Sequence, residues 1–379
     1  MFNLPYTIAL TQFFTFIYLP VIVFIWFFYS YIHRWTRPAL FFSVTVRPDF
    51  KSSEQGKRFT KQFKKHINLY SIIATLVLLT YFLTPNSTTL MLFQTLGAIT
   101  IQLLGITIAF VKIRQKVLNF SISQPTTRSA SLIPRKTTLA TPYLWFGPPL
   151  IILIAAAVLA FQWDSIPPVF TTSWDALGNP TQQTHKSISS VFALPLLTLS
   201  TFFLMLISAL AISRFTKRTI PDGPAAIRQS KFINLTQSLV LISTYALTII
   251  FTALSLFPLS SAADSALPNS FYYIMSFAFI PTIFALYYMI RAGQGCWKYN
   301  RLSPSQIEST DAIADGTPDS AWKLGLVYFN PNDSALFVER RFGIGYDMNW
   351  ARPTAYIFMG IILLASLGIS LLCTWMLNS

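Results

Sequence analysis

Residues able to do acid–base, nucleophilic or metal chemistry are few and scattered in this 379-residue chain. His33, His66 and His185 stand far apart. Cys296 and Cys373 have neither zinc-ligand spacing nor a histidine partner. No metal site and no cofactor are therefore expected. No P-loop and no G-x-S-x-G are present. Gly343-Ile344-Gly345-Tyr346 has two glycines of a dinucleotide fingerprint but lacks the third and any surrounding βαβ pattern. Asp164 and Asp175 share one loop and could form an acid–base pair, though loop carboxylates usually cap turns. Asp333, Glu339 and Asp347 are the set an enzyme at a lipid surface would use. No catalytic residue is assigned.

These residues sit in a chain built for lipid. Hydrophobic residues make up 53% and charged residues 11%, against about 25% charged in a soluble chain. That composition excludes a soluble enzyme. The formal charge of +15 would suggest nucleic acid in a soluble protein. Here it points to basic loops on the cytoplasmic side, and no nucleic-acid partner is expected. Eight apolar runs have membrane-span length: 8–32, 67–84, 90–111, 143–161, 189–212, 234–257, 271–290 and 354–377. None contains Asp, Glu, Lys, Arg or His. A central charge costs at least ~2.5 kcal/mol on insertion, and ion pathways usually need one. Pro20, Pro195 and Pro281 predict kinks. Gln94 and Gln102, two helical turns apart, predict hydrogen bonds between helices.

The loops alternate in charge. Of the 28 Lys and Arg residues, 27 fall in 33–66, 112–142, 213–233 and 291–353, and only Lys186 lies elsewhere. The positive-inside rule places those four loops in the cytoplasm and both termini outside, in the cell (cytoplasmic) membrane. No cleavable signal peptide is expected, since residues 1–7 carry no cation. The expected fold class is an all-α integral membrane protein, a bundle of about eight transmembrane helices, whose last cytoplasmic loop could hold a small β-hairpin. The expected organisation is a three-span region 1–142, a two-span unit 143–212, two further spans in 213–302, an acidic linker 303–321, a juxtamembrane segment 322–353 and a final span 354–379.

Three surface segments are patterned. In 57–70, Phe59, Phe63, Ile67 and Tyr70 recur at helical spacing among Lys57, Arg58, Lys61, Lys64 and Lys65. This predicts a basic amphipathic helix on the anionic inner leaflet, running into the second span. The loop 164–187 opens with an extended stretch at Ile166-Pro167-Pro168 and turns at Asp175-Ala176-Leu177-Gly178-Asn179-Pro180, with Trp174 placed for a headgroup layer. The segment 322–353 has strand-like Leu326-Val327-Tyr328-Phe329, a turn at Asn330-Pro331-Asn332-Asp333, then Leu336-Phe337-Val338. The spacing suggests that the two runs pair across the turn.

The loop 164–187 with its flanking spans resembles the two-span unit at the start of SdpI-like bacterial immunity proteins. Ile166, Pro167, Trp174, Gly178, Pro180 and Lys186 carry the likeness, and Ser173 stands where that family often has histidine. The segment 322–353 is similar to a juxtamembrane motif of unknown function that accompanies this unit, through Tyr328, Asn330, Pro331, Asp333, Phe337, Val338, Arg341, Phe342, Gly343, Gly345 and Asn349. SdpI-like proteins protect the cell from a secreted toxic peptide and can hold a repressor at the membrane. The resemblance implies a non-enzymatic immunity, sensor or regulatory protein, with a peptide or envelope ligand outside and a regulatory protein inside. A transporter or channel for an apolar or zwitterionic substrate is the alternative, and a lipid-modifying enzyme at the interface is the second.

Overall fold

The computed structural model describes residues 4–83, 88–122, 139–174, 180–216, 224–259, 276–299, 317–343 and 345–378. Eight α-helices appear among them: α1 (Leu4–Trp35), α2 (Glu54–Leu79), α3 (Thr88–Val117), α4 (Gly147–Phe161), α5 (Ile188–Phe215), α6 (Pro224–Ser255), α7 (Ile280–Ala292) and α8 (Pro353–Asn378). Seven helical stretches are long and apolar enough to cross a membrane: Glu54–Leu83, Thr89–Phe120, Pro142–Phe161, Ile188–Phe215, Arg228–Leu259, Ser276–Lys298 and Pro353–Met376. The expected first span lies within α1, a helix of 32 residues that is not one of the seven. Pro20 and Pro195 lie inside α1 and α5. Pro281 instead follows the first residue of α7, where a missing N–H costs nothing.

Short antiparallel strand pairs join the helices. β1 (Leu40–Phe41) pairs with β2 (Val44–Thr45), and β3 (Val169–Trp174) with β4 (Pro180–His185). β5 (Trp322–Lys323) pairs with β6 (Val327–Tyr328), and β7 (Phe337–Glu339) with β8 (Tyr346–Met348). This corrects the expected hairpin in the last loop. The 326–329 run does not pair with 336–338. Each pairs with its own neighbour, because Leu324 and Gly325 turn the chain early at positive φ and Gly343 and Gly345 turn it again.

The chain divides into two compact units. One is Met1–Ser129 with Ala292–Asn330 and Glu339–Asp347; the other is Ala130–Arg291 with Pro331–Val338 and Met348–Ser379. The first unit is built on α2, which packs along α1 and α3. Its core joins Phe41, Phe42, Val44 and Val46 of the β1–β2 hairpin to Phe63 and Ile67 of α2 and Ile106, Phe110 and Ile113 of α3. Phe342 stacks into this core with its ring 4.2 Å from Phe110. The hairpin turns on Phe42 and Ser43, both at positive φ, which is costly for side chains of this kind. Burial of the Phe42 ring 5.0 Å from Phe63 offsets the strain. Deeper in the helices, Gln102 is fully buried and its amide donates to the Ile22 carbonyl at 3.0 Å and to Ser71 Oγ at 2.9 Å. Gln94 donates to Thr80 Oγ1 at 2.8 Å. Both glutamines bond beyond their own helix, as their spacing suggested. Gly105 lets α3 approach α2, since a Cβ there would run into the Tyr70 ring.

In the second unit α4, α5 and α6 pack on one another and α8 packs on α5. Trp145, Phe202, Ala209 and Leu241 form one core cluster. Buried Gln237 accepts from the Ala140 N–H at 2.8 Å and donates to the Ala209 carbonyl at 3.0 Å. A second cluster, Leu159, Ile166, Phe170 and Val191, seats the β3–β4 hairpin on the ends of α4 and α5. Ser187 starts α5 with a reciprocal cap to Ser190.

Candidate functional site

The polar residues that the sequence singled out gather in three places, and the first is a buried ionic cluster in the first unit. Arg341 lies just past β7 with its side chain wholly shielded. Its guanidinium donates to the Ser43 carbonyl at 2.9 Å, to Thr317 Oγ1 at 3.0 Å, to Thr45 Oγ1 at 3.3 Å, to the Thr317 carbonyl and to the Asp319 carboxylate. It also lies over the Trp322 ring at 5.6 Å. A planar fork with five donors can be buried when every donor finds an acceptor. Asp319 in turn accepts from Thr45 Oγ1 at 2.9 Å and from Ser121 Oγ at 2.6 Å. Arg114, in the last turn of α3, donates to the Asp319 and Trp322 carbonyls, both at 3.1 Å. The end of the expected linker, 317–321, is therefore an ordered part of this cluster; 303–316 lies outside the described residues.

A second buried pair joins Arg37 to Glu339 at 2.5 Å. Gln294 accepts from the Arg37 N–H at 3.4 Å and donates to the Arg340 carbonyl. Gly295 leaves room for the pair, since a Cβ there would meet both side chains. Beside it the Lys51 ammonium closes the end of α1, donating to Thr36 Oγ1 at 2.8 Å and to the Thr36 and Arg37 carbonyls at 3.1 and 2.5 Å. Burial brings the Lys51 pKa down from 10.5 to about 7. Nothing in the sequence singled out Arg37, Lys51, Gln294 or Asp319: Arg37, Gln294 and Asp319 have partners more than 200 positions away, and Lys51 meets the end of α1 only after the chain has turned back 14–15 residues later. An Arg-Pro step directly after a long apolar helix was the one available hint.

Tyr328 is fully buried, 5.1 Å from the Trp322 ring, and its hydroxyl accepts from Asn330 at 3.1 Å. Residues 331–338 and 348–353 of this patterned segment belong to the second unit, and 339–347 to the first. Pro331 sits in the predicted turn. The Asp333 carboxylate accepts from the Ala335 N–H at 2.9 Å, and its carbonyl accepts from Asn349 at 3.0 Å and Arg352 at 2.8 Å. Asn349 also donates its N–H to the Leu336 carbonyl at 2.8 Å. Phe337 meets Phe358 of α8 edge-on at 5.5 Å. Asp333 and Asn349 thus shape the approach to α8. Of the three carboxylates considered for catalysis, Glu339 is held by Arg37 and Asp333 by a turn.

The third place is the β3–β4 hairpin. Ile166 is buried, Pro167 half-buried, and the Lys186 ammonium donates to the Trp163 and Ile166 carbonyls at 2.6 and 3.1 Å. The same ammonium rides over the Trp163 ring at 4.9 Å. Trp174 faces Pro180 across the hairpin and meets Phe257 edge-on at 4.9 Å. The loop's first and last patterned residues are thereby brought together. Asp175 and Gly178, with the turn expected there, lie outside the described residues.

The predicted basic helix is the first part of α2. Its apolar stripe turns toward protein: Phe63 and Ile67 are buried in the core, and Phe59 packs on Phe120. Lys57, Arg58, Lys61 and Lys65 are exposed and Lys64 is half-buried.

A family model described as "Family of unknown function (DUF5808)" matches residues 331–356. The match takes in Pro331 through Asn349 of the patterned segment and the start of α8, and leaves out Tyr328 and Asn330. No curated protein and no solved structure matches the chain.

Proposed function

We propose that this chain is a multi-pass protein of the bacterial cell membrane that acts without catalysis, as an immunity, sensor or regulatory protein of the SdpI-like kind. The observation that carries this reading is the use to which the patterned polar residues are put. Arg341, Asp333, Asn349 and Lys186 spend polar groups on bonds within the protein, and Glu339 pairs with Arg37 through one of its two carboxylate oxygens. An active site would instead hold such groups open toward a substrate. Seven apolar helices, with α1 as a further one, are compatible with the eight expected spans, and the charge asymmetry of the loops favours both termini outside. In this reading the β3–β4 hairpin meets a peptide or envelope component outside. The 317–352 segment and the basic loops face a regulatory protein and acidic lipid inside.

The test is survival of cells lacking the protein, challenged with the secreted toxic peptide of an SdpI-type system. Expression of the chain is expected to restore growth, and Trp174→Ala with Lys186→Met is expected to remove protection at unchanged membrane levels. No protection by the wild-type chain would overturn the immunity reading. Uptake of a zwitterionic substrate by reconstituted vesicles would move the assignment to a transporter, for which the kinking prolines leave room.

A further inference from the structure

The exposed side of α2 changes character once along its length. Arg58, Lys61 and Lys65 follow one another at helical spacing, and Leu69, Ile72, Leu76 and Leu79 continue the same stripe. These four apolar residues are 46–58% exposed. The buried stripe, Phe63, Ile67, Ala74 and Leu78, lies on the opposite side. Cations and exposed apolar side chains therefore share one face, with Asn68 at the boundary. At 1.5 Å per residue, Arg58 to Lys65 spans about 10 Å and Lys65 to Leu69 about 6 Å. A headgroup layer and the start of an acyl layer have that order of thickness.

A cavity of about 470 Å³ opens on the cationic part, lined by Arg58, Lys61, Gln62, Lys64, Lys65 and Asn68. It holds four cations and no carboxylate. Among the described residues none of the four takes part in an ion pair. Two of the walls are fixed from α1: the Trp26 indole N–H donates to Asn68 Oδ1 at 2.7 Å, and Lys64 lies over the Tyr31 ring at 5.2 Å.

We propose that this cavity is a binding site for one acidic phospholipid, with its phosphate among Arg58, Lys61 and Lys65 and its acyl chains along Leu69, Ile72 and Leu76. The proposal deepens the membrane reading above and rests on it. The apolar continuation favours this occupant: a lipid would engage the cations and lay its acyl chains along the exposed leucines and isoleucine, whereas a soluble phosphate ester would contact the cations alone. Gln62 and Asn68 add amide donors for phosphate or glycerol oxygens.

The full-length protein in neutral detergent, titrated with phosphatidylglycerol or phosphatidylcholine and read by native mass spectrometry, tests this. The wild type is expected to retain one phosphatidylglycerol at least about tenfold more tightly than phosphatidylcholine. Arg58→Gln/Lys61→Gln/Lys65→Gln is expected to lose that preference. Lys112→Gln/Lys116→Gln/Lys323→Gln removes the same charge from exposed positions elsewhere and is expected to keep it. Equal retention of the two lipids overturns the site, as does equal loss in both triple variants. Displacement by inorganic phosphate at lipid-like concentrations would show an anion pocket with no use for the acyl chains, and would also overturn it. Impermeant labelling of the termini in intact cells checks the membrane reading separately, so a failed lipid preference with correct topology removes only this inference.

Discussion

Arg341 and Lys186 each anchor a patterned segment, and they do it differently. Arg341 is wholly shielded and spreads five donors over carbonyls, hydroxyls and one carboxylate. Lys186 is half-buried, gives two bonds to carbonyls and rests on an indole face, with no carboxylate partner among the described residues. A delocalised planar cation can be taken out of water when its whole fork is satisfied, and a compact ammonium keeps part of its hydration. The segment around Arg341 is accordingly locked by long-range charge. The β3–β4 hairpin is held by local carbonyls and aromatic packing.

The largest test of that contrast is Arg341→Met. It strands Asp319 in a buried site and is expected to cost about 3–5 kcal/mol, seen as loss of folded protein on size exclusion in detergent. Adding Asp319→Asn is expected to recover part of the loss, which a simple packing defect would not show.

Lys51 gives a pH signature to the same unit. Its pKa is about 7 in the folded protein and 10.5 when free. Between those values the unfolded chain holds the extra proton, so stability is expected to rise with pH from about 7 upward and to be insensitive to this group below 7. Unfolding midpoints from pH 7 to 9.5 should show this slope, and Lys51→Met should flatten it.

Lys186→Met is expected to cost about 1–2 kcal/mol, from two hydrogen bonds and a cation–π contact. The loss should appear as faster amide exchange confined to the β3–β4 hairpin. Faster exchange throughout the second unit would mean that the hairpin is no local device.

Asp49→Asn sets the floor. Arg47 and Asp49 form an exposed pair at 3.5 Å, and its loss is expected to change the unfolding midpoint by less than about 0.5 kcal/mol equivalent.

Hydropathy was the most legible property of this chain. The described part of each expected run is largely helical, although 271–275 lie outside the described residues and the α-helix of that run begins only at Ile280; a run of about 20 apolar residues is what a helix crossing lipid would need. The glutamines were legible too, since a buried amide on a helix must find a partner. The strand pairs were not. Phe42-Ser43 and Leu324-Gly325 turn the chain at positive φ without the Asn-Gly or Asp-Gly signature, and what stabilises the first is a ring packed on a distant helix. The stripe Phe59, Phe63 and Ile67 was visible as a stripe, but its direction was not. Amphipathic spacing states that one face is apolar without stating whether lipid or protein covers it.

Composition alone thus determined the apolar helices and their approximate bounds, since these depend only on short-range transfer energies along the chain. Tertiary structure alone decided that Arg341 meets Asp319, that Arg37 meets Glu339 and that the lysines of α2 stand outside its core. Those outcomes depend on which residues, 22 positions apart for Arg341 and Asp319 and 302 for Arg37 and Glu339, are brought within hydrogen-bond reach, and no local pattern encodes that approach.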